Sequence, residues 1–141
     1  MKRASLRIKD RHYDVGDNPG NFGEIITECS ITKKSNSIVF DYFEDIPGFD
    51  VCRSEVTVEK DRVTILRSGK ISTCMILEPE KRHISCYETP YGEIMLGVYT
   101  DALAVDLTED GGFVEFAYTI DSNGELVSRN ELKFLIETEE D

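Results

Sequence analysis

Two charged side chains and four hydroxyls are the residues of this 141-residue chain best suited to hold a ligand: Arg67 and Glu44, with Tyr42, Ser54, Tyr87 and Thr89. An arginine presents five N–H donors in a rigid fork that fits a carboxylate or a phosphate, and hydroxyl groups complete such a contact. A glutamate on the same face neutralises the arginine and leaves the hydroxyls to serve its other donors. Two expectations follow. The cluster is either the polar end of a site for a small, partly apolar molecule, or an internal network that plugs one end of the fold. No catalytic role is assigned to any residue, and neither a metal nor a cofactor is expected.

A pattern of short strands must bring these six together. Turn signals (DNPGN, IPGF, EKD, RSGK, EPEKR, TPYG, EDGG, DSNG) punctuate the chain, and Val, Ile, Thr, Tyr and Phe recur between them with a period of two. The segments read as strands over Ser5–His12, Ile25–Thr32, Ser37–Asp45, Val51–Glu59, Arg62–Arg67, Ile71–Leu77, Ile84–Thr89, Gly92–Thr100, Leu103–Leu107, Phe113–Ile120 and Leu126–Glu137. Asn18–Glu24 leaves room for a short helical turn. Most successive pairs are close enough for hairpins, which predicts an all-β fold: one closed antiparallel meander barrel, lipocalin-like, of about ten strands. Closure abolishes exposed edges. The barrel is expected to span residues 1–141 as one domain, with 136–141 an acidic tail.

Alternation then sorts the faces. Phe40, Tyr42 and Glu44 share the inside with Cys52, Ser54, Val56 and Val58, and with Val63, Ile65 and Arg67. Ile71, Thr73, Met75 and Leu77 follow, then Ser85, Tyr87 and Thr89, then Ile94, Leu96, Val98 and Thr100. Val114, Phe116, Tyr118 and Ile120 precede Asn130, Leu132, Phe134 and Ile136.

Loop length fixes register in a hairpin. Tyr42 should face Ser54 and Glu44 should face Cys52, while the Lys60–Asp61 turn sets Ser54 opposite Arg67. A three-residue turn, Ser68–Lys70, sets Arg67 opposite Ile71, and Ile71 in turn faces Thr89. The Pro90–Tyr91 turn places Thr89 opposite Gly92. The six polar residues therefore converge at one end, with Tyr87 a layer deeper. The same register places Cys74 opposite Cys86 on the outside, as two reduced thiols beside Ile76 and Ile84. That small apolar patch suits either a homodimer contact or cover by the N-terminal segment.

Composition narrows the partners. A net charge of −12 repels nucleic acid and anionic lipid, so neither is expected to bind. No apolar run approaches the roughly 20 residues of a spanning helix, the N-terminus has no signal-peptide pattern, and a cytoplasmic setting is expected. Cys29, Cys52, Cys74 and Cys86 contain no C-x-x-C, and His12 and His83 are too few for a metal site. An Asp–His–Ser arrangement can be assembled from Asp10, His12 and His83, but no spacing selects it. The glycine-containing turns open no helix after a strand, so they do not read as phosphate loops.

The motifs DYFED, ILRSGK, CMIL, YETPYG and VYTDAL, in this order, together with FVEFAYTIDSNGE, resemble the YwiB-like family of bacterial proteins from about Ile25 to Ile136. Tyr-x-x-Pro-Tyr-Gly is the most specific part. That family is similar to calycins, so the resemblance implies a lipocalin-like barrel with a cavity and implies no reaction. Tyr42, Glu44, Arg67, Gly69, Met75, Tyr87, Thr89, Gly92, Thr100, Tyr118 and Asn130 stand at its matching positions. Secreted lipocalins begin with a Gly-x-Trp pattern, which a chain without tryptophan lacks. A barrel filled by its own side chains, meeting a protein partner through its outer surface, is the rival expectation.

Overall fold

In the computed structural model, residues 1–14, 20–46, 48 and 50–138 are described. Ten strands form one closed barrel: β1 (Lys2–Asp14), β2 (Asn21–Lys33), β3 (Ile38–Ile46), β4 (Asp50–Val58), β5 (Val63–Ser68), β6 (Ser72–Leu77), β7 (Arg82–Thr89), β8 (Gly92–Thr108), β9 (Gly111–Ser122) and β10 (Glu125–Thr138). Each strand pairs antiparallel with its chain neighbours, and β1 pairs with β10 to close the ring from Ala4–Thr138 to Asp14–Ser128. This is the expected meander, consistent with a lipocalin-like fold. No helix among the described residues is long and apolar enough to cross a membrane.

Period-two alternation drives the assembly, because each strand hides alternate side chains and wets the others. Phe40, Cys52, Ser54, Val56, Val63, Leu77, Val98, Thr100, Val114 and Phe134 have no exposed surface. Phe134 is the hub: its ring meets Phe40 edge-on at 5.2 Å between centroids, and lies 6.2 Å from Tyr42 and 6.1 Å from Phe116. Burying one such ring stabilises the fold by about 1.5–3 kcal/mol. Below the hub Leu6, Ile31, Val56 and Val114 fill the interior with aliphatic packing.

Several strand assignments need correction. Gly92–Thr100 and Leu103–Leu107 are one strand, β8, interrupted by a register shift between Thr100 and Ala102. A β-bulge at Asp101 adds one residue and moves the inward phase from Thr100 to Leu103. Asn21–Glu24 belongs to β2 and is extended rather than helical; Asn18 and Pro19 lie outside the described residues. In the expected acidic tail, Ile136–Thr138 end β10, and 139–141 are outside the description.

Pairing is uneven around the ring. β2 pairs with β3 only through Ser30–Lys33 against Ile38–Asp41, so the first half of β2 and the end of β3 run apart. β6 and β7 pair only at Ser72–Glu88 and Thr73–Tyr87. There the Ser85 hydroxyl donates to the Cys74 carbonyl at 2.8 Å, and a bridge joins Pro79 to Thr100.

Candidate functional site

The registers of β3, β4 and β5 are those the turns dictate: Tyr42 faces Ser54, Glu44 faces Cys52 and Ser54 faces Arg67. Thr89 faces Gly92 as well. The β5–β6 turn differs. Arg67 faces Thr73 and not Ile71, and Ile71 precedes β6, so its expected pairing with Thr89 is not formed. The loop is two residues longer because it folds back on β4. Gly69 sits at φ 146°, where a Cβ would come within 2.8 Å of Cys52 Sγ, so glycine alone fits without strain. A two-residue shift preserves the face, and Arg67 still points inward.

Arg67 Nη2 donates to Glu44 Oε2 at 3.2 Å, each side chain roughly a quarter exposed. Their neighbours Tyr42, Thr73, Tyr87 and Tyr118 surround a cavity of about 250 Å³ whose floor is Phe134 and whose walls include Ile8, Ile65 and Met75. Burial, aided by the Glu44 charge and opposed by the Arg67 charge, pushes the Tyr42 phenol up to about 12. Burial also raises Tyr87 against the pull of Arg67, and raises Tyr118 further, with Tyr87 adding to the effect. All three phenols stay protonated near neutrality, as donors and acceptors.

Two polar atoms of this cluster have no partner among the described residues. Ser54 Oγ and Arg67 Nε are buried and unbonded, as is Thr100 Oγ1 on β8. Ser54 stands directly across from both Tyr42 and Arg67.

Five of the six expected residues therefore gather here. Thr89 does not contribute its hydroxyl: Oγ1 donates to the Gly92 carbonyl at 2.9 Å and accepts from the Tyr91 amide at 3.1 Å, capping its own turn. Asp10, Thr73 and Tyr118 join the lining instead. Their signal was the inward phase of Leu6, Ile8 and Asp10 on β1 and of Phe116 and Tyr118 on β9. Asp10 and Ile25 point inward yet are exposed, Ile25 to 43%, because the cavity opens where β2 and β3 run apart.

The histidines have other partners than a serine. His12 sits with Nδ1 2.6 Å from Asn130 Oδ1 and Nε2 2.6 Å from Asp14 Oδ1, while Asn130 Nδ2 donates to Ser128 Oγ at 3.1 Å. His83 faces Glu78 at 2.9 Å. On the outer face Leu66, Cys74, Ile76, Ile84, Cys86 and Met95 form one apolar band across β5 to β8, with Ile84 and Met95 more than half exposed. The expected cover by the N-terminal segment is absent, since β1 lies between β2 and β10. The pairing of Cys74 with Cys86 lies beyond the short β6–β7 ladder. Cys86 instead lies with Glu88 and Glu93, their ligand atoms within 4.8 Å of one another, and burial together with Glu93 pushes its thiol up.

The fold is similar to a crystal structure of the ywiB protein from Bacillus subtilis, with a TM-score of 0.83 and 21% identity over 95% of this chain and 91% of that one. No curated protein matches this chain significantly. A family model described as a domain of unknown function, DUF1934, matches residues 7–134, from β1 to β10, and the chain belongs to that family.

Proposed function

We propose that the barrel binds a small, partly apolar molecule without catalysing a reaction on it, its polar end formed by Arg67, Glu44, Tyr42 and Tyr87. One observation carries this reading: Arg67, which lines the cavity beside Glu44, has a buried Nε with no partner among the described residues. Buried donors and acceptors are almost always satisfied, and each exception asks for an explanation. A ligand accepting from Arg67 supplies one. The four cysteines form no disulfide among the described residues, which suits a reducing, cytoplasmic setting.

A native mass spectrum of the protein as purified, neither reduced nor delipidated, tests the reading. A non-covalent adduct that Arg67→Met abolishes supports it. A bare mass, unchanged after incubation with a cell extract of small molecules, opposes it.

The outer band of β5 to β8 favours a second reading, in which a protein partner or a second copy covers Ile84 and Met95. Sedimentation of the wild type against Ile84→Glu decides it: a dimer that becomes a monomer supports the contact, and a monomer in both removes the homodimer.

A further inference from the structure

We propose that the occupant of the cavity is a small zwitterion, an apolar body carrying both a carboxylate-type acceptor and an ammonium, of the size of a free amino acid. This rests on the reading of the cavity as a binding site and names the chemical class that its wall selects.

The wall asks for both signs of charge. Arg67 spends one Nη2–H on Glu44 and keeps a buried Nε–H with no acceptor. An ionised acceptor placed there makes a charge-assisted hydrogen bond, about twice as strong as a neutral one. Yet two carboxylates, Asp10 and Glu44, line the same cavity against that single guanidinium. The wall therefore holds one negative charge in excess before any ligand enters.

Single charges fit badly. A plain anion would satisfy Arg67 Nε and bring a second excess negative charge into a partly desolvated space, where like charges repel strongly. A plain cation would balance Asp10 and Glu44 and leave Nε unserved. A zwitterion does both at once and adds no net charge.

Size and shape agree. About 250 Å³ falls below the roughly 300–1,000 Å³ of pockets for drug-sized ligands, so the occupant is compact. Tyr42, Tyr87, Tyr118 and Phe134 place four aromatic rings in the lining, and ring faces attract an ammonium. Ile8, Ile25, Ile65, Met75 and Leu132 take the apolar body. Asp10 stands at the exposed mouth, where its carboxylate lies over Gly23; a Cβ at that position would overlap it. The ammonium end thus faces the mouth and the acceptor end reaches inward to Arg67.

Isothermal titration of the twenty common L-amino acids against the intact protein is the test. Each one that binds is followed by the matched amine without its carboxylate and the matched acid without its amine. At least one amino acid should bind, and both analogues should bind about tenfold or more weakly, the loss expected for a hydrogen bond to a charged group. Arg67→Lys and Asp10→Asn should each weaken the amino acid by a similar factor; Asp10 is exposed, so its variant folds whatever becomes of Arg67. An analogue that binds as tightly as its parent, or an absence of binding across the set, overturns the zwitterion. The native spectrum separates the two readings. An adduct of other chemistry leaves a binding barrel without this ligand class, whereas a bare mass with no response to any amino acid sinks both.

Discussion

The guanidinium of Arg67 and the hydroxyl of Ser54 stand directly opposite each other on β5 and β4, and each carries a buried polar atom with no partner among the described residues. Both deficits lie in one cross-strand pair beside a cavity. Satisfied networks rigidify a core, whereas partly satisfied ones weaken it.

Ser54→Ala should therefore stabilise the ligand-free protein, or leave it unchanged, because it removes an unserved hydroxyl whose burial costs about 1–3 kcal/mol. Urea denaturation measures the change. A loss of about 1 kcal/mol or more, the worth of one hydrogen bond, would mean that the hydroxyl has a partner after all.

Arg67→Met leaves Glu44 without its cation. For fully buried pairs this costs about 3–5 kcal/mol. Here the two side chains are 28% and 23% exposed, so water screens Glu44 and a smaller loss, of about 1–2 kcal/mol, is expected. Combining Arg67→Met with Glu44→Gln should recover most of it in a double-mutant cycle.

Phe134→Ala removes the ring on which Phe40, Tyr42 and Phe116 converge, at a position with no exposed surface. The expected cost is about 3–5 kcal/mol, read as a fall in the denaturation midpoint at constant slope. Val114→Ala, on the neighbouring strand, should cost less because it removes fewer contacts.

His12 should titrate above its ordinary value of 6.5. Burial opposes its protonation, yet the contacts to Asn130 and Asp14 together outweigh burial. Both ring nitrogens face oxygen acceptors, so the doubly protonated ring satisfies both. With the folded value raised, this group's contribution to stability is complete below pH 6.5 and disappears as pH rises through the folded value. NMR titration of His12 checks the direction, and His12→Gln should flatten the stability profile over that window.

Gly97 lies beneath the Arg82–Asp121 ion pair, whose two hydrogen bonds measure 2.9 and 2.7 Å. A Cβ on Gly97 would come within 2.5 Å of Arg82 Nε and of an Asp121 oxygen. Gly97→Ala should push the pair apart. Asp121, held down at about 2 by Arg82 and the Gly124 amide, should then titrate closer to its ordinary 3.8, which carboxylate NMR can follow. A carboxylate with a depressed value contributes stability above its unfolded value and loses it as pH falls towards 2, so the variant should show a weaker acid transition.

The inward faces and three hairpin registers were legible because both follow from local rules: side chains alternate, and short turns permit few geometries. Arg67 opposite Ser54 is such a case. The β5–β6 turn was not legible, since its length depends on Gly69 packing against Cys52 from a different strand. Asp101 reads as a turn residue in TDAL, yet β9 holds it as a bulge in a continuous strand. Asp10 escaped the candidate set for another reason. Its height relative to Arg67 depends on where β1 meets β10, and no turn of the chain sets that register. Thr89 was placed correctly and assigned wrongly, because a threonine before Pro–Tyr can spend its hydroxyl on its own turn.

The meander also makes β10 a keystone. Every other pairing joins strands that are consecutive in the chain, whereas β10 covers the free edges of β1 and β9 together. Without β10 in place, a sheet of the other nine strands would have two bare edges. Bare edges recruit other chains. Damage to β10, at Leu132, Phe134 or Ile136, thus exposes both ends of the sheet to intermolecular pairing, so aggregation should accompany the loss of stability.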